Sequence, residues 1–167
     1  MNIQHALFPI AVLSCILAST PVVSAQSATV DVQYVQPAKF TDFSIYGRGA
    51  QWSASYFATQ ISDDLRPALQ RKVSGGRLTL RFTDIDLAGH YPSRGGSSAR
   101  VVRGQIRPAR MSFAFVLQDS SGRTLASGST RIVDNSSTSS LANPRRSQAL
   151  YYEKRMLERW LRSLKTS

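Results

Sequence analysis

Met111-Ser112-Phe113-Ala114-Phe115-Val116-Leu117-Gln118, followed at once by Asp119-Ser120-Ser121-Gly122, is the stretch that decides the fold. Large apolar side chains fall at every second position, with small or polar ones between them. That period of two is a strand with one buried face. The polar tetrapeptide is a turn, and Arg123 to Val133 returns as the partner strand of a hairpin.

Upstream, Leu78, Leu80 and Phe82 mark the inner face of a strand spanning Arg77 to Leu87. The apolar phase then slips to Ile85 and Leu87, which predicts a bulge near Thr83-Asp84. Thr29 to Val35 alternates as well, with Val30, Val32 and Tyr34 on one side, and Gln36-Pro37 ends it. Lys39 to Gly49 reads as a loop, its Phe40, Phe43, Ile45 and Tyr46 pinned to the core.

Between these strands the period changes. Phe57, Ile61, Leu65, Leu69 and Val73 recur every four residues and draw one stripe of an amphipathic helix. Pro67 predicts a kink or break near Leu65-Arg66, and Ser74-Gly75-Gly76 supplies the stop. At the C-terminus, Leu150, Leu157, Trp160, Leu161 and Leu164 form the apolar side of a second helix. Ser147 is its expected N-cap, and Glu158 with Arg162 is a supporting pair. Ala88 to Arg107 is a long Gly/Ser/Arg-rich loop, and Asn135 to Pro144 a second polar one. The order strand, helix, strand, strand, strand, helix gives the α+β class. It predicts a mixed or antiparallel sheet of about four strands with two helices packed on one face.

Residues 1–25 read as a cleavable signal peptide: a short polar start, an apolar run from Ala6 to Leu17, then Val23-Ser24-Ala25 before the cut. The run falls short of the roughly 20 apolar residues of a membrane anchor. The expected compartment is the periplasm, with residues 26–167 as a single domain. Acylation at Cys15, which would tether the chain to a membrane, is the alternative, but Leu13 is large for a lipoprotein signal two positions earlier. Cleavage after Ala25 removes the chain's one cysteine. Disulfides, thiol catalysis and cysteine-held zinc then fall away together.

The leader carries no formal charge, so the whole net +11 belongs to the domain, and arginine dominates it. Arginine forks pair bidentately with phosphate and carboxylate. The charge is concentrated after the second strand. No carboxylate lies between Asp86 and Asp119, while Arg94, Arg100, Arg103, Arg107 and Arg110 all do. Gly95-Gly96-Ser97-Ser98 makes that loop able to wrap a polyanion, and Tyr91 is placed to stack beside it.

Catalytic machinery is sparse. His90 is the only histidine after the leader, and no serine sits in a Gly-x-Ser-x-Gly elbow. Asp84 and Asp86, two apart on a strand, share a face. A calcium site needs more oxygens than they provide, and glycoside hydrolysis needs carboxylates flanking a bond instead of lying side by side. The pair reads as structural, closing a strand end or bonding Arg81 or Arg103. No metal or cofactor is expected.

Three segments carry a family likeness: Val35-Gln36-Pro37-Ala38-Lys39-Phe40-Thr41-Asp42, Thr83-Asp84-Ile85-Asp86-Leu87-Ala88-Gly89, and Tyr152-Glu153-Lys154-Arg155-Met156-Leu157 with Trp160. Together they resemble the bacterial domain of unknown function 3016 family, over about Val30 to Leu164. The resemblance implies an exported single domain and brings no catalytic residues. The expected role is therefore a non-enzymatic binding or accessory protein of the envelope, its arginines facing an anionic envelope component or an acidic protein partner. Nucleic acid is disfavoured by export and by the absence of a reader motif. A hydrolase or metal-dependent enzyme centred on Asp84, Asp86 and His90 is the alternative, and a purely structural envelope protein the third reading.

Overall fold

The structure, a computed structural model, describes residues 26–91, 100–102, 107–134 and 149–166. The chain runs β1 (Thr29–Tyr34), α1 (Ala50–Lys72), β2 (Arg77–Asp86), β3 (Arg110–Gln118), β4 (Thr124–Val133) and α2 (Tyr151–Ser163), with a short 3-10 turn at Pro37–Lys39. The strands form one mixed sheet in sequence order, β1-β2-β3-β4. β1 lies parallel to β2 because α1 carries the chain back between them. The other two pairings are antiparallel.

The inner face of the sheet holds Leu78, Leu80, Phe82, Ile85, Met111, Phe113 and Leu117, all fully buried against Phe57, Ile61, Leu65 and Leu69 of α1 and Leu157 and Leu161 of α2. Tyr34 joins Phe40, Phe43, Phe57 and Phe82 in one ring cluster, and Trp160 seats edge-on against Phe113 and Phe115. Burying the Tyr34 phenol pushes its pKa above the ordinary tyrosine value. Truncating a ring such as Phe82 or Phe113 to Ala costs about 3–5 kcal/mol, so this cluster fixes the helices to one face. The α+β reading holds, and the expected bulge is present as a register shift between Phe82 and Asp84.

Three local expectations need correction. Of the kink or break expected at Pro67, the break does not occur: α1 runs through it as one helix. Pro67 and Asp63, whose carbonyl the ring deprives of a donor, are both exposed, so that carbonyl is on the solvent side, while Leu65, Ala68 and Leu69 remain buried. Tyr46 is not pinned to the core: it is 47% exposed at φ +53° and packs on Trp52 and Tyr56 at the surface. The buried side of α2 also includes a carboxylate, Glu153, beside Met156, Leu157 and Leu161. The expected N-cap Ser147 lies outside the described residues. The Glu158–Arg162 pair forms as read.

Candidate functional site

β2 ends where the chain's most distinctive segment begins, and four neighbouring parts of the molecule converge there. Asp84 accepts the Thr41 backbone N–H at 2.8 Å and the Thr41 hydroxyl at 3.0 Å. Asp86 pairs with Arg110 across the β2–β3 ladder at 3.3 Å. The Asp42 N–H donates to the Ile85 carbonyl and the Leu87 N–H to the Asp42 carbonyl, so the segment after β1 adds a parallel bridge to the end of β2. The Ala88 N–H donates to the buried Glu153 carboxylate of α2 at 2.8 Å.

Arg100 closes this hub. Its two terminal nitrogens grip Asp42, at 2.6 and 3.1 Å, and also donate to the carbonyls of Ser44, Leu87 and Gly89. Its Nε donates to the Ala88 carbonyl at 2.9 Å, and its guanidinium lies 5.0 Å from the Tyr91 ring centre. The side chain is only 13% exposed. Burial opposes its charge, but the Asp42 and Tyr91 bonds outweigh that and hold its pKa above the ordinary arginine value. Around Glu153 desolvation dominates, and it raises the carboxyl pKa despite the Ala88 bond and the field of Arg100.

Gly89 shows how tightly the hub is closed. It sits at φ +73°, and a β-carbon there would lie 2.3 Å from the Val101 carbonyl oxygen. His90 and Val101 exchange both backbone hydrogen bonds, and the Gly89 N–H donates to the Arg107 carbonyl. The roots of the long loop are thereby fastened together.

The residues singled out from sequence thus separate. Asp84 bonds Thr41, and Asp86 bonds Arg110. The Arg100 fork is turned inward. Arg107 is exposed, without an ion pair or side-chain hydrogen bond among the described residues. Arg94 and Arg103 lie outside the described residues. His90 meets the site through its backbone bridge to Val101. No three of His, Cys, Asp and Glu gather in metal-holding geometry among the described residues.

Two basic surfaces emerge that the loop-centred reading did not single out. A groove of about 440 Å³ between the last turns of α1 and α2 is lined by Ala68, Arg71, Lys72, Leu161 and Arg162. Its cations complement the negative ends of both helices. The second is the outer face of the sheet, opposite both helices. Arg77 and Arg81 of β2 and Arg131 of β4 project from it, exposed, with no ion pair among the described residues. The cue for this surface was present in the sequence of β2, where Arg77, Thr79 and Arg81 alternate with the buried Leu78, Leu80 and Phe82.

These features define a compact α+β protein with a closed polar hub at one end of its sheet and an arginine-bearing outer face. The chain belongs to the family described as protein of unknown function (DUF3016), which matches residues 28–163. That span takes in all four strands and both helices of the described residues. No curated protein matches the chain.

Proposed function

We propose that the protein is a non-enzymatic binding or accessory protein of the cell envelope, exported by its leader, which engages an anionic envelope component or an acidic partner through exposed arginines. The observation that carries this reading is a charge imbalance that folding leaves largely uncompensated. The chain holds 21 basic against 10 acidic residues. Several acids are committed to partners within the fold, including Asp42, Asp84, Asp86, Asp119 and Asp134. Arg71, Arg77, Arg81, Arg107 and Arg131 are all exposed with no carboxylate partner among the described residues. A surface of that kind concentrates anions and speeds their capture.

The test is binding of the chain from Gln26, which retains every described residue, to heparin and to lipopolysaccharide over a salt series. Tight binding that weakens steeply with salt is expected, because each neutralised charge releases a counterion. Absence of binding to both at low salt overturns the reading. Secretion of the full chain with loss of residues 1–25, read by mass spectrometry of the periplasmic fraction, tests the export half independently.

A further inference from the structure

We infer that the outer face of the sheet is the docking surface, and that its ligand is a linear anionic glycan laid across β2 and β4. This rests on the anion-binding reading above and assigns it a place and a ligand class.

The pairing register fixes the geometry of the face. Arg77 and Arg81 stand four residues apart on β2, about 13 Å at the rise of an extended strand. Across the sheet, Arg81 stands in a row with Gln33, Ala114 and Ser129. Arg131 is two residues further along β4, two strands over. That is a diagonal of about 12 Å from Arg81, at about 4.8 Å between strands. The three arginines therefore form a bent track of nearly even pitch. Thr79, Ser112, Ser127 and Ser129 surround it on the same face. The small Ala114 keeps the middle of the track low.

The carboxylates on this face leave the track open. Asp84 and Asp86 are bonded to Thr41 and Arg110, while Asp31, opposite Thr79 on the neighbouring edge strand β1, accepts the Gln33 amide at 2.7 Å and forms no ion pair with the arginines among the described residues. Side-chain chemistry then selects the ligand. A single-stranded nucleic acid calls for aromatic platforms on which its bases stack, but Phe82, Phe113 and Phe115 all point into the core. A membrane calls for a broad apolar face, but among the described residues the large exposed apolar side chains of this face are Val116 and Val133, each 37% exposed. Guanidinium forks interspersed with hydroxyls suit a polymer that alternates sulfate or carboxylate groups with sugar hydroxyls.

Heparin is the probe, with single-stranded DNA and anionic phospholipid vesicles run beside it. The variant Arg77→Gln/Arg81→Gln/Arg131→Gln is compared with Arg94→Ala/Arg103→Ala/Arg107→Ala. The sheet variant is expected to bind heparin at least tenfold more weakly. The slope of its log affinity against log salt should flatten by about 2–3, one counterion for each lost contact. In the unaltered protein, amide shifts on adding a heparin oligosaccharide should centre on Thr79, Ala114 and Ser129, a reading independent of how well the variant folds. If the sheet variant binds as tightly as the parent while the loop variant fails, the docking face is refuted and the anion-binding reading survives. Failure of the parent itself to bind any of the three probes overturns both. Tighter binding to DNA or to vesicles than to heparin refutes the ligand class.

Discussion

Replacing Arg100 by Ala is the most direct probe of the hub. The substitution leaves Asp42 without its fork and removes the shared donors of the carbonyls of Ser44, Leu87, Ala88 and Gly89. Breaking one side of a buried ion pair costs about 3–5 kcal/mol. Asp42 is 29% exposed, so water relieves part of that cost, and the low end, about 3 kcal/mol, is the expected loss. With a urea dependence of about 2 kcal/mol per molar, the unfolding midpoint should fall by about 1.5 M. Trp160, seated between Phe113 and Phe115, supplies the fluorescence signal. Arg100→Lys keeps the charge but not the fork and should recover less than half of the loss. A double-mutant cycle with Asp42→Asn should return a coupling of about 2 kcal/mol. A loss below about 1 kcal/mol for Arg100→Ala, accompanied by loss of anion binding, would refute this reasoning and return Arg100 to the ligand-facing role suggested by its loop sequence.

Two further expectations follow from the same region. Gly89→Ala combines a left-handed backbone with a β-carbon pressed against the Val101 carbonyl and should cost more than about 2 kcal/mol. Gly122→Ala, at φ +88° in open space, should cost only the backbone penalty of about 1 kcal/mol, and equal losses in thermal melts would contradict this account. Burial raises the Glu153 pKa, with Arg100 opposing and Asp134 reinforcing the shift. Its contribution to stability is therefore complete below the ordinary glutamate value of about 4.3 and declines as pH rises through the folded value. Glu153→Gln retains an acceptor for the Ala88 N–H, so its urea midpoints from pH 4 to 8 should decline less with pH than the parent's. A steeper decline would refute that assignment.

The strands and helices were legible because each carries its own period. Met111 to Leu117 alternates strictly, and Phe57 to Leu69 repeats every four residues, so burial of one face leaves little choice. The phase slip at Ile85 likewise announced the bulge. Pro67 does not break α1 because it faces water, where the carbonyl that loses its donor is open to solvent. The hub was less legible. Arg100 sits in a run of arginines with no acid nearby in sequence, and its partner Asp42 comes from the far side of α1. Nothing local separates an inward fork from an outward one. Glu153 was hidden for the same reason, since a carboxylate on a helix with Glu158 and three arginines reads as a solvated charge. The sheet arginines were visible in the alternation of β2, but a loop of denser charge drew the reading elsewhere.

The sheet's mixed pairing has a consequence for the order in which the molecule assembles. β2, β3 and β4 are antiparallel, and the short turn between β3 and β4 lets that hairpin close early. β1 pairs in parallel and meets β2 only after α1 has formed and folded back across the sheet. Contacts of high sequence separation form late because chain entropy must be lost before they return any stability. The ring cluster around Tyr34 ties β1 to Phe57 and Phe82, but α2 reaches farther still, from Glu153 to Ala88 and from Lys154 to Gln60, 65 and 94 residues away, so by the same measure it docks last. β1, the first of the described strands, thus waits on α1, and the C-terminal helix that seals the inner face waits on both.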